Sequence, residues 1–129
     1  MDASGIDHVT LRIPDDGVAD ALEFYRDGLG FDIEGMDRFR IDAQGFFAVR
    51  VGPESVLHLR PTRGFEAPGG VDHVALDTGL DRETLAEHLE EAGIGVERRY
   101  KSHLGAEGRA RSLFVEDPFG YRLELRATQ

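Results

Sequence analysis

One pattern is written twice along this chain. Gly5-Ile6-Asp7-His8-Val9-Thr10-Leu11 returns as Gly70-Val71-Asp72-His73-Val74-Ala75-Leu76, and Leu29-Gly30-Phe31-Asp32-Ile33-Glu34 is answered by Ala92-Gly93-Ile94-Gly95-Val96-Glu97. Val56-Leu57-His58-Leu59-Arg60 matches Arg122-Leu123-Glu124-Leu125-Arg126. A repeat half a chain long requires two copies of one supersecondary unit, which constrains the fold more than any single motif. The matched positions hold His8 and His73 at the start of each copy, and His58 and Glu124 at the end.

Two copies of this size are marginal alone, so the 129 residues are expected to form a single domain, 1–129, with modules at about 5–61 and 70–127. Cysteine is absent, which removes disulfides, thiolate metal sites and cysteine nucleophiles. No apolar run approaches a membrane span and the N-terminus lacks signal-peptide character, so the expected location is cytoplasmic, without a membrane partner. A formal charge of −10 argues against nucleic acid.

Residues 6–13 alternate, with Val9, Leu11 and Ile13 on one face and His8, Thr10 and Arg12 on the other, which predicts a half-buried strand. Val18, Ala21, Leu22, Tyr25 and Leu29 then recur at helical spacing, and Gly30 stands where a helix-terminating glycine belongs. Strands are predicted near 36–43, 46–52 and 55–60, so the first module reads βαβββ. Residues 61–70, with two prolines and three glycines, form the connector. The second module repeats the order: strand 71–77, helix 82–92 stopped by Gly93, and strands 94–100, 111–116 and 121–126. Asp117-Pro118-Phe119-Gly120 is a turn, and Ser102 to Gly108 is a polar, glycine-containing segment that predicts a mobile loop.

Alternation also sorts the side chains. Leu57 and Leu59, Leu123 and Leu125, and Val74 and Leu76 take the helix side of their strands, leaving His8, His58, His73 and Glu124 on the opposite face. One strand histidine is ordinarily a half-exposed hydrogen-bonding residue; four matched positions on one face point to a metal. Three imidazoles and a carboxylate suit zinc, nickel, iron, manganese or cobalt and disfavour calcium. His88 lies between Glu87 and Glu90 on the predicted helix and reads as solvated, while His103 falls in the predicted loop.

Asp7-His8-Val9-Thr10-Leu11, Ala21 through Phe31, Asp72-His73-Val74-Ala75-Leu76 and Ser112 through Leu125 together resemble the vicinal oxygen chelate superfamily, across nearly the whole chain. This superfamily includes glyoxalase I, bleomycin- and fosfomycin-resistance proteins, methylmalonyl-CoA epimerase and extradiol dioxygenases. The resemblance implies an α+β fold, two βαβββ modules forming a cupped mixed sheet. It further implies a homodimer with sites at the subunit interface, in which His8 and His58 of one chain meet His73 and Glu124 of the other. The metal would act as a Lewis acid on a small substrate with vicinal oxygens, through an enediolate-type intermediate, with Glu124 moving the proton.

Within that resemblance a glyoxalase-like lyase or isomerase carries over His8, His73 and Glu124 and departs at His58, where glyoxalase I has a carboxylate. A dioxygenase would use His8, His73 and Glu124 as an iron(II) triad, but this chain has Phe114 where that branch has tyrosine. A fosfomycin-type transferase would need an anion pocket, for which Arg12, Arg60, Arg109, Arg111, Arg122 and Arg126 are candidates. A metal-free, bleomycin-resistance-like binding protein is the reading of a different class. Phe46, Phe47, Phe65 and Phe119 are candidates for an apolar pocket or for ordinary core. No Gly-x-Ser-x-Gly elbow, phosphate loop or dinucleotide fingerprint is present, so no cofactor beyond the metal is expected. Residues 102–111 are where specificity is expected to reside.

Overall fold

A computed structural model describes residues 1–67 and 69–128; Pro68, which the sequence places in the connector, and Gln129 lie outside the described residues. Contacts divide the chain into two units, Met1–Glu66 and Ala67–Gln129. In the first, β1 (His8–Pro14) leads into α1 (Val18–Ala21), which widens into a π-helical segment over Leu22–Gly28. β2 (Asp32–Glu34), α2 (Met36–Arg40), β3 (Phe47–Gly52) and β4 (Ser55–Thr62) follow. The sheet order is β1-β4-β3-β2, with β1 parallel to β4 and the other pairs antiparallel.

The second unit repeats this layout. β5 (Val74–Asp81), α3 (Arg82–Glu91), β6 (Arg98–Gly105), β7 (Gly108–Glu116) and β8 (Arg122–Thr128) give the order β5-β8-β7-β6, again with one parallel pair. α3 starts where the Asp81 carboxylate accepts the Thr84 N–H at 2.8 Å. Both helical segments end on a glycine with positive φ, Gly30 at 83° and Gly93 at 72°. Beyond Gly93 the Ile94 N–H reaches the Leu89 carbonyl, the long closing bond of a Schellman stop, whereas beyond Gly30 the Phe31 N–H reaches one residue further back, to the Tyr25 carbonyl, off the π-helical segment. The two repeats thus share the terminating glycine and differ in the bond that closes the helix.

The apolar alternation fills each core. Leu57, Leu59, Val49 and Tyr25 are all at most 2 % exposed in unit 1, and Leu123, Leu125 and Val115 occupy the strand positions equivalent to the first three in unit 2. Phe47 and Phe119 are core residues as well. The turn at Asp117 is held by its own side chain, which accepts the N–H groups of Phe119 at 2.9 Å and Tyr121 at 2.8 Å.

Two expectations need correction. The strand predicted at 36–43 is the short helix α2 followed by a turn, and the second strand lies earlier, at Asp32–Glu34. Gly35 turns the chain with φ 75°, and the run Asp37-Arg38-Phe39-Arg40 has no apolar alternation; Phe39 alone packs inward, edge-on to Phe47. The loop predicted at 102–108 is the tip of a β-hairpin, with Gly105 paired to Gly108 across Ala106-Glu107.

Truncating the repeat-equivalent leucines tests these cores. Leu59→Ala and Leu125→Ala are each expected to lose about 2–5 kcal/mol in urea unfolding, because both side chains are at most 2 % exposed. Val71→Ala, on a side chain that is 51 % exposed, is expected to change stability by less than about 0.5 kcal/mol.

Candidate functional site

The open face of the second sheet carries a buried carboxylate. Glu124 is 1 % exposed, opposite Ala75 on β5 and Phe114 on β7. Parallel pairing sets His73, two residues before Ala75, beside it, and His73 Nε2 lies 3.2 Å from Glu124 Oε1. His103 Nδ1 lies 3.3 Å from the same oxygen and has no hydrogen-bond partner although buried. Arg126 donates to the other oxygen, Oε2, at 2.7 Å. These residues line a cleft of about 640 Å³ that Asp77 and Arg109 also border.

Each repeat begins with an aspartate–histidine pair. His73 Nδ1 meets Asp72 Oδ1 at 2.6 Å and His8 Nδ1 meets Asp7 Oδ2 at 2.7 Å. The hydrogen bond to its histidine holds each carboxyl, Asp7 and Asp72, below the usual carboxylate range. With Nδ1 donating, Nε2 is the ring atom left to bind a proton or a metal, the arrangement by which carboxylates orient ligand histidines.

In unit 1 the equivalent face carries rings. Thr10 pairs with His58 across β1 and β4, which brings His8 over His58 with centroids 4.2 Å apart and planes at 22°. Phe46 stacks on His58, also at 4.2 Å, and the Arg60 guanidinium lies 5.4 Å from the Phe46 centroid. Stacked rings keep their nitrogen lone pairs in separate parallel planes. The structure thus joins His8 to His58 and His73 to Glu124, one pair per unit.

His103 is the residue that sequence reasoning placed elsewhere. Along β6 the register steps from Tyr100↔Ser112 to His103↔Ala110, three residues against two. This bulge reverses the inward-outward parity and turns His103 onto the face of Glu124. It joins a ring cluster there, 4.9 Å from Tyr100 and 6.0 Å from Phe114. The readable signal was Gly105-Ala106-Glu107-Gly108, a two-residue hairpin turn rather than a loop. His88 is exposed on α3, as expected. Of the candidate arginines, Arg122 pairs with Glu97 at 3.4 Å, and Arg109 and Arg111 border a separate notch beside Lys101.

Two donors side by side on one ion at about 2.1 Å are roughly 3.0–3.4 Å apart, and the separation of His73 Nε2 from Glu124 Oε1, 3.2 Å, falls within that range. His103 Nδ1, buried without a hydrogen-bond partner, lies beside the same oxygen. His73 and Glu124 are therefore spaced as two ligands of one divalent cation would be. Among the described residues, no group of three or more His, Asp or Glu side chains is arranged to hold one.

Burial, and then the neighbouring His8, lower the pKa of His58 below the ordinary imidazole value. The unfolded chain therefore binds that proton more readily, and this contribution to stability is complete above the unfolded value and lost as pH falls. Imidazole NMR of His58 is expected to show a midpoint below about 6.5; a midpoint above it would contradict the burial of this ring.

Residues 5–125 match the Glyoxalase/Bleomycin resistance protein/Dioxygenase superfamily. Virulence protein STM3117 of Salmonella typhimurium is 26% identical over 121 residues, 93% of this chain and 81% of that protein. Its crystal structure superposes with a TM-score of 0.72, covering all of both chains at 20% identity. A putative glyoxalase family protein from Bacillus anthracis superposes at 0.77, with 21% identity and 100% and 98% coverage. TnmS3, an antibiotic binding protein from Streptomyces sp. CB03234, superposes at 0.71, with 22% identity and 100% and 99% coverage. A match running through both repeats identifies this chain as a member of the Glyoxalase/Bleomycin resistance protein/Dioxygenase superfamily.

Proposed function

We propose that the chain is a divalent-metal-dependent lyase or isomerase of glyoxalase type, acting on a small substrate with vicinal oxygens. One observation carries this reading: the buried carboxylate of Glu124 turns one oxygen to the cleft, His73 and His103, while Arg126 holds the other. His73 and Glu124 would hold the metal, joined by His8 and His58, with a homodimer as the assembly. When bound, the ion supplies Lewis acidity to a substrate oxygen. Glu124 Oε1, when not held by the ion, would take the proton from the hydroxyl-bearing carbon beside the carbonyl and return it to the carbonyl carbon, while the hydroxyl proton passes to the former carbonyl oxygen, so that no atom is gained or lost. Its burial excludes competing water, and the Asp72–His73 pair fixes the ring beside it.

A second reading, a ligand-sequestering protein without metal, has support of its own. The His8–His58–Phe46 stack gathers three aromatic rings on one face of unit 1's sheet, a surface suited to flat aromatic ligands. The similarity to an antibiotic binding protein points the same way.

The two readings separate in variants. His73→Ala and Glu124→Ala are expected to lose retained metal while keeping native circular dichroism. Glu124→Gln is expected to slow deuterium exchange at the carbon next to the carbonyl of α-hydroxycarbonyl compounds by about 100-fold or more. Unchanged metal content in both alanine variants would remove the site assignment, and wild-type protein that holds no metal would favour sequestration.

A further inference from the structure

Arg126 follows Glu124 by two residues on β8, so strand alternation puts both on the open face. Its side chain is 10% exposed and its donors are engaged. Nη1 donates to Glu124 Oε2 at 2.7 Å, and Nη2 donates to the His103 carbonyl at 3.2 Å and the Gly108 carbonyl at 3.1 Å. Nε lies 3.6 Å from Asp77 Oδ1. The two carbonyls belong to opposite strands of the β6–β7 hairpin, so one planar group ties the carboxylate to the hairpin that carries His103.

Gly105 makes room for it. A Cβ there would stand 2.5 Å from Cζ and from Nη2, and 3.0 Å from Nε. Gly105 is not among the glycines with positive φ, so its missing side chain serves space rather than backbone conformation. In unit 1 the corresponding Arg60 also has a glycine beside it, Gly45, whose Cβ would lie 2.9 Å from Nη1. There the residue two before it is His58, and the guanidinium lies over Phe46 instead. The clamp belongs to the half that carries the carboxylate.

We infer that Arg126 is a positioning residue for the candidate metal centre: it holds Glu124 Oε2 so that Oε1 faces His73 and His103, and it docks the β6–β7 hairpin through the opening that Gly105 leaves. The effect on metal rests on the reading proposed above; the docking does not. A buried carboxylate with one oxygen tied to a fixed cation has a single orientation to offer, and outer groups of this kind typically alter metal affinity by about 10- to 100-fold.

The test uses the whole chain with Arg126→Met, Arg126→Lys, Gly105→Ala and the double variant Gly105→Ala/Arg126→Met. Two quantities are read: amide hydrogen exchange across 98–110 without metal, and the Zn(II) dissociation constant by competition with a chromophoric chelator. Arg126→Met is expected to speed exchange in the hairpin and raise the dissociation constant at least about 10-fold. Arg126→Lys, which keeps the charge but not the fork, is expected to restore only part of either. Gly105→Ala alone moves both readouts in the same direction but adds little to Arg126→Met, because the group it would displace is gone. Should Arg126→Met fail to fold, Arg126→Lys and Gly105→Ala carry the test. Unchanged hairpin exchange in Arg126→Met, a silent Gly105→Ala, or additive effects in the double variant would overturn the inference. If wild-type protein has no affinity for zinc, the metal reading fails, and hairpin exchange alone decides whether Arg126 docks the hairpin.

Discussion

A carboxylate taken almost wholly out of water must be compensated, and the second unit is organised around that requirement. Leaving Glu124 unpaired at 1 % exposure would cost several kcal/mol. Arg126 supplies the charge from the same strand, and imidazoles reach the carboxylate from the approach to the adjacent β5 (His73) and, across β7, from β6 (His103). The leucines flanking Glu124 sit in the opposite core, so the alternation that builds the sheet also fixes which way the carboxylate turns.

The repeat shows how one scaffold carries two kinds of site. β1 pairs with β4 as β5 pairs with β8, in the same parallel sense and at corresponding residues. Where β8 has Glu124, β4 has His58, and that difference converts an ion-paired cluster into a ring stack. Both halves keep the aspartate that orients the first histidine, and both keep an arginine two residues beyond the last candidate ligand. A cluster of aromatic rings suits recognition of flat groups, whereas a carboxylate with adjacent imidazoles suits proton transfer and metal ligation.

Much of this was legible in the residues. The repeat disclosed two modules, the leucine alternation in β4 and β8 assigned the faces, and Gly30 and Gly93 marked the helix ends. α2 was missed because five residues make little more than one helical turn, too few to show a period, while the turn at Gly35 had already released the chain from the sheet. His103 was missed because a single extra residue on β6 reverses parity, and composition does not announce a bulge. The aspartates beside His8 and His73 were in view as part of the repeat. Their orienting role needed side-chain geometry, as did that of Arg126, since an arginine on a strand is ordinarily a surface residue.

The central claim is that the buried carboxylate and its histidines take a divalent ion. Elemental mass spectrometry of protein purified without added metal or chelator tests it most directly. About one zinc, nickel, iron, manganese or cobalt per chain is the expected result. A protein that arrives metal-free and also takes up none of these ions on titration would contradict the account and leave the ring-lined face of unit 1 as the basis of function.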